Sequence, residues 1–293
     1  TDDDNNKEAT TVVNEKENEN NNTTTTTSST TDSYPWFRIL PMQKLKNVYE
    51  MTGTELQSPS DMPWLTFLRF DHENATTYCS GAILERSKIV TAATCLYDHV
   101  YGNIFVTVIV MAGGIKYNSF EVSQQLNVAT NIIVHPSFRT TDEYLNHNLA
   151  IITLNQQLPF SKTIDNIEIS TPPVQLQPTI NLSGFGRSPN GDVYVNARSH
   201  RVKLVNTAIC KLTYGPNVCT DDILTTVGEF STHATICRVE SGAPLTYHPG
   251  WFRKPKLLGI ASFVSAWGCL NGTPDGYTNL SSYTSWLREM LAL

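Results

Sequence analysis

From Pro35 onward the chain consists of short apolar, β-favouring runs punctuated by clusters of Gly, Pro, Asn and Asp. The runs are Trp64 to Phe70, Ala82 to Ala93, Ile104 to Ala112, Ile132 to Val134, Leu149 to Leu154, Ile180 to Leu182 and Leu257 to Val264. Runs of this length bounded by turn formers predict an all-β body, a sandwich or a barrel. Only the last segment changes period. Tyr283, Trp286, Leu287 and Met290 recur at helical spacing, with Ser281 and Ser282 ahead of them as candidate N-caps, which predicts one C-terminal helix. No run approaches the roughly 20 apolar residues of a membrane-crossing helix, so no membrane is expected among the partners.

Residues 1–34 differ in kind. They hold four Asp, four Glu and two Lys among Asn and Thr, ending in the run Thr23 to Thr27. Such a segment buries too little apolar area to offset its ordering entropy, and it is expected to be a disordered acidic Asn/Thr-rich tail. It reads either as a solvated spacer or as a glycosylated stalk, with O-glycans on the Thr/Ser run and sequons at Asn21 and Asn22. Residues 35–49 are read as a linker and 50–293 as the folded domain. The tail carries the whole net charge of −6; the remainder balances 19 acidic against 19 basic residues. With no basic stripe, nucleic acid is not expected as a partner. The sequence opens at Thr1 without a charged, apolar leader, so any secretory signal is expected to have been removed.

The six cysteines are Cys79, Cys95, Cys210, Cys219, Cys237 and Cys269. None forms a CxxC pair, which argues against zinc or thioredoxin-type redox chemistry. An even count beside several N-x-[ST] sequons suggests disulfides and an oxidising, extracellular compartment, and spacing alone does not choose their pairing. His and acidic residues show no metal-like spacing, so neither a metal nor a cofactor is expected.

Four stretches in order carry a family resemblance. The first is Pro63-Trp64 before an apolar strand. The second is Cys79-Ser80-Gly81-Ala82-Ile83-Leu84 running into Thr91-Ala92-Ala93-Thr94-Cys95. The third is Asn146-His147-Asn148-Leu149-Ala150-Ile151, and the fourth is Cys237-Arg238-Val239-Glu240-Ser241-Gly242-Ala243-Pro244-Leu245. The set resembles the trypsin-like (chymotrypsin-fold, peptidase S1) serine proteases, which write C-G-G-S-L-I … T-A-A-H-C, N-[ND]-D-I-A-L and C-x-G-D-S-G-G-P-L. Ser183-Gly184-Phe185-Gly186 and Pro274-Asp275-Gly276-Tyr277-Thr278 add weaker echoes of S-G-W-G and P-G-V-Y-T. The resemblance implies two packed antiparallel β-barrels with a C-terminal helix, a cleft between the barrels, and the disulfides Cys79–Cys95, Cys210–Cys219 and Cys237–Cys269.

The same resemblance implies a degenerate site. A serine hydroxyl needs a base within hydrogen-bond reach, a carboxylate behind that base, and fixed N–H donors for the oxyanion. The family's histidine position holds Thr94 and its aspartate position holds Asn148; only Ser241 is kept. Loss of the base alone costs on the order of 10⁶ in turnover. Among substitute bases, His147 is expected to face away from the site, His99 falls in a loop, and His233 is the least implausible. Val239 replaces the oxyanion-loop glycine. Glu240 replaces the aspartate that pairs with a newly cut N-terminus, and Tyr49-Glu50-Met51-Thr52-Gly53 offers no basic cleavage start. In the specificity pocket Thr235 stands at the base, with Val264 and Asp275 at two wall positions, giving a filled pocket or a shallow acidic notch. Asn74, Asn271 and Asn279 are glycosylation candidates; Asn181, in a strand, is expected bare.

The expectation is a secreted, non-catalytic serine protease homologue. It would serve as a binding protein, cofactor or decoy in an extracellular proteolytic, immune or reproductive-fluid process. Its partner would be an extracellular protein, either an active protease or a protease substrate. The alternatives are an active endopeptidase with a rearranged base, and a structural or adhesive glycoprotein.

Overall fold

The computed structural model describes residues 39–41, 54–71, 76–96, 107–140, 145–171, 180–186, 195–228, 241–250, 253–265 and 273–292. The strands are β1 (Ile39–Pro41), β2 (Thr54–Glu55), β3 (Leu65–Asp71), β4 (Thr76–Glu85), β5 (Lys88–Thr91), β6 (Thr107–Ala112), β7 (Gln125–Val134), β8 (Arg139–Thr140) and β9 (Leu145–Asn146). They continue as β10 (Ala150–Leu154), β11 (Glu168–Ile169), β12 (Ile180–Gly184), β13 (Arg198–Val205), β14 (Ile223–Gly228), β15 (Pro244–Tyr247), β16 (Lys256–Ser265) and β17 (Asp275–Asn279). Two helices join them, α1 (Thr207–Tyr214) and α2 (Thr284–Ala292).

The strands form two closed antiparallel barrels, as the resemblance implies. In the first, the order β10-β5-β4-β3-β6-β7 closes on itself because β10 pairs with both β5 and β7. In the second, β16-β15-β12-β13-β14-β17 closes through the pairing of β16 with β17. β3 shows why the sequence run there is almost continuously apolar. Leu68 and Phe70 sit in the main core cluster, while Leu65 and Phe67 join a second cluster with Met111, Ile115, Phe185 and Ala197. Both faces are covered, so no polar alternation survives.

The run read from Ala82 to Ala93 is a hairpin. β4 ends at the exposed Glu85, and Arg86 and Ser87 form the turn that separates it from β5. β7 starts seven residues ahead of the run Ile132 to Val134; its first half is largely solvent-facing, with Leu126 and Val128 exposed beside Gln125 and Asn127. The helix α1 had no sequence expectation. It is capped by the Asn206 side chain, which accepts the Ala208 N–H at 2.8 Å, and pinned by the Cys210–Cys219 disulfide. At the C-terminus the expected caps shift. A 3₁₀ turn, Leu280–Tyr283, precedes α2, so Ser281 and Ser282 lie inside it. Asn279 is the cap, accepting the Ser281 N–H at 3.3 Å and its hydroxyl at 2.8 Å. Residues 39–41, within the stretch read as a linker, form β1 on the edge of β16.

The second barrel buries His200 on β13, opposite Leu182 on β12. Neither ring nitrogen has a hydrogen-bond partner among the described residues. Burial first, and the Arg198 charge second, hold its pKa down at about 4 from 6.5. The unfolded chain takes up this proton below its ordinary value while the native barrel refuses it until about 4, so stability falls as the pH drops through that window. The expected loss is about 2 kcal/mol between pH 7 and pH 5. A His200→Leu chain, compared with wild type by urea unfolding at both pH values, should lack this part of the loss.

Candidate active site

Thr94 lies in the single 3₁₀ turn Ala93–Cys95 that follows β5, and all three residues are buried. The Cys79–Cys95 disulfide ties this turn to β4. Asn148 lies between β9 and β10, directly after His147, whose φ of 51° is in the left-handed region. That corner turns the His147 ring away from Thr94. The ring stacks on His135 with centroids 5.1 Å apart, and its Nδ1 is 3.0 Å from the Tyr283 hydroxyl. Tyr283 in turn donates to the Asp222 carboxylate. Burial, then Asp222, push the Tyr283 phenol above its ordinary range. Burial, with the neighbouring His147 second, lowers the His135 imidazole.

Thr94 and Asn148 meet at two points. The Thr94 N–H donates to Asn148 Oδ1 at 2.9 Å, and Asn148 Nδ2 donates to the Thr94 hydroxyl at 3.3 Å. Asn148 Nδ2 also donates to Ser262 Oγ at 2.9 Å, and the Thr278 hydroxyl donates to the Asn148 carbonyl at 2.9 Å. Ser262 was not singled out from sequence, and Thr278 entered only as the last residue of the weaker Pro274 to Thr278 echo. Strand alternation does not find Ser262, because β16 shifts register between Ala261 and Phe263, at Ser262 itself.

Ser241 reaches the same corner from the second barrel. Its carbonyl accepts the Ser80 N–H at 3.0 Å and lies 3.6 Å from the Cys95 sulfur. The next residue explains how closely the loop is seated. Gly242 has φ of 82°, and a methyl added there would stand 2.2 Å from Thr91 Oγ1 and 2.3 Å from the Ser80 carbonyl. The Gly242 N–H donates to the Ala261 carbonyl at 2.9 Å, linking the loop to β16. Ser241 is fully buried, and its hydroxyl has no hydrogen-bond partner among the described residues.

Val264 and Asp275 end β16 and begin β17, and they are 1% and 2% exposed. Burial pushes the Asp275 carboxyl well above the usual carboxylate range. It raises the Tyr277 phenol as well, with Asp275 adding to that shift. Between these two wall positions Phe263 lies against Gly276, where an added methyl would fall 2.2 Å from the ring. Asn279 is half-buried with its amide oxygen engaged in the cap. Thr235, Val239, Glu240, the Cys237–Cys269 pair, Asn74, Asn271, His99 and His233 lie outside the described residues. Among the described residues, no group of three or more His, Cys, Asp or Glu side chains is arranged to hold a metal ion.

The Asn148 amide therefore bonds the hydroxyls of Thr94 and Ser262. Asn148 can orient Thr94 but cannot stabilise a cation, and neither group accepts a proton near neutral pH. The Trypsin family profile matches residues 51–287. The chain is 26% identical over 223 residues to a collagenase of Hypoderma lineatum, covering 72% of this chain and 75% of that protein. It is 25% identical over 222 residues to brachyurin of Leptuca pugilator, covering 74% and 88%. It is 23% identical over 257 residues to the clotting factor G beta subunit of Tachypleus tridentatus, covering 83% and 80%.

Proposed function

Because the chain belongs to the trypsin family, we propose that it is a secreted, non-catalytic member that works by binding an extracellular protein, as a cofactor or decoy for a protease or its substrate. The observation that carries this reading is the Thr94–Asn148 pair. At the two positions that the resemblance assigns to a general base and its carboxylate, the chain has a hydroxyl and an amide bonded to each other. Such a pair has no site for the proton that Ser241 would have to release. The buried Ser241 hydroxyl, without a partner among the described residues, agrees with it. The disulfides Cys79–Cys95 and Cys210–Cys219 support an oxidising compartment, and glycosylation at Asn74, Asn271 or Asn279 belongs to the same reading.

The test is a fluorophosphonate probe, which labels only activated serines, applied to the full chain beside Ser241→Ala. No labelling of either is expected. Labelling of the wild-type chain that disappears in Ser241→Ala would overturn the non-catalytic reading.

A further inference from the structure

β16 is the longest strand of the second barrel and has more partners than one strand can hold along its whole length. β15 covers Lys256 to Ile260, and β17 covers Gly259 to Phe263. Among the described residues, the last stretch, Phe263 to Ser265, has no β15 partner and only Phe263 has a β17 partner; it follows directly on the Ser262 that holds Asn148. An uncovered strand end of this kind is a template for any extended peptide. Here it is covered by the chain itself. β1 pairs with it antiparallel in the register Ile39↔Ser265, Leu40↔Val264 and Pro41↔Phe263.

From this pairing we infer that Ile39–Pro41 is a built-in competitor for the Phe263–Ser265 edge, and that an extended peptide of a protein partner takes this edge only by displacing it. The inference rests on the binding reading above and adds how that surface is regulated. β1 is built for displacement. It is three residues long, so few ladder bonds hold it. Its last residue, Pro41, has no N–H to give, which ends the ladder on that side. What favours β1 over a free peptide is attachment: a tethered segment acts at an effective concentration in the millimolar range. A partner peptide therefore needs either high affinity of its own or a second contact elsewhere on the chain. The chemistry that suits the edge is that of β1: an extended, uncharged segment whose backbone offers N–H and C=O groups to Val264 and its neighbours.

The test compares the full wild-type chain with Ile39→Pro/Leu40→Pro. With Pro41 in place, that variant leaves the segment with no backbone donor at all, whichever residue supplies it in the wild type. The barrels themselves are untouched. The probe is acetyl-Arg-Ile-Leu-Pro-Met-amide, which copies residues 38–42. Amide hydrogen exchange at those N–H groups of Phe263 to Ser265 that point toward β1 should be slow in wild type, at least about tenfold faster in the variant, and slow again once the variant is saturated with probe. The probe should bind the variant at least about tenfold more tightly than wild type. Equal exchange in the two chains, or equal probe affinity, would overturn the inference. Fluorophosphonate labelling of both chains separates this result from the previous one. Labelling that appears only in the variant would reject the non-catalytic reading and leave the displacement mechanism standing. Absence of labelling together with the gain in probe affinity would support both.

Discussion

Gly242→Ala should lower the unfolding free energy by about 4 kcal/mol, combining left-handed backbone strain with overpacking. Two independent costs meet at this residue. Its φ of 82° is a conformation that L side chains rarely adopt, and the methyl would run into Thr91 Oγ1 and the Ser80 carbonyl within 2.3 Å. The second obstacle is backbone of β4, which cannot rotate away. Gly215 supplies the control. It has φ of 86°, and a methyl added there would have nothing within 4 Å, so Gly215→Ala should cost about 1–2 kcal/mol from the backbone alone. Urea or thermal unfolding measures both. On the thermal scale the Gly242 change corresponds to a drop of about 10 °C. Equal losses at the two positions would mean that the Ser241–Gly242 loop yields instead of being clamped between β4 and β16.

The second large effect concerns reconstruction. Thr94→His/Asn148→Asp restores the two side chains that the family resemblance assigns to those positions. Ester hydrolysis by this chain is nevertheless expected to stay on the order of 10⁶ below that of an intact triad. An aspartate at position 148 would be well received, since the Thr94 N–H already donates to the corresponding oxygen and Ser262 can turn its hydroxyl toward it. The histidine would not. Thr94 is fully buried, and forcing a ring into a packed site costs about 1–3 kcal/mol. Beyond that, Ser241 has no exposed hydroxyl to offer a substrate. The readouts are p-nitrophenyl ester turnover, fluorophosphonate labelling and circular dichroism. A gain of about a thousandfold that is lost on adding Ser241→Ala would show that only two side chains stood between this chain and catalysis.

Much of this architecture was legible because a barrel strand must repeat one decision every second residue. The runs that became β3, β6, β10, β12 and β16 are apolar on the faces they bury, and the ordered motifs implied two barrels without assigning each run to one of them. The elements that escaped were those held by context. β7 exposes Leu126 and Val128 and interleaves Gln125, Asn127 and Thr130 with them, so its first half shows no apolar run and no buried alternating face. α1 contains Thr207, Ile209, Cys210 and Thr213, none of them a strong helix former, and its stability comes from a cap and a disulfide. The candidate site divides in the same way. Thr94, Asn148 and Ser241 are found by motif, and the first two are hydrogen-bonded to each other. Ser262 and β1 carry no motif, and Thr278 only ends a weak one. They matter because closure of the second barrel brings them to the same corner, and that proximity is a property of topology.

The main hydrophobic cluster has one more implication. It is made chiefly of first-barrel residues, yet Leu280, Tyr283, Leu287 and Met290 belong to it. The first barrel is contiguous in sequence and can begin to form while the rest of the chain is still being translated. Its interior is incomplete until the final turn and α2 have left the ribosome. A nascent chain therefore carries an open apolar face through the whole synthesis of the second barrel. A premature stop codon shortly before Leu280 would damage the half of the protein that was made first.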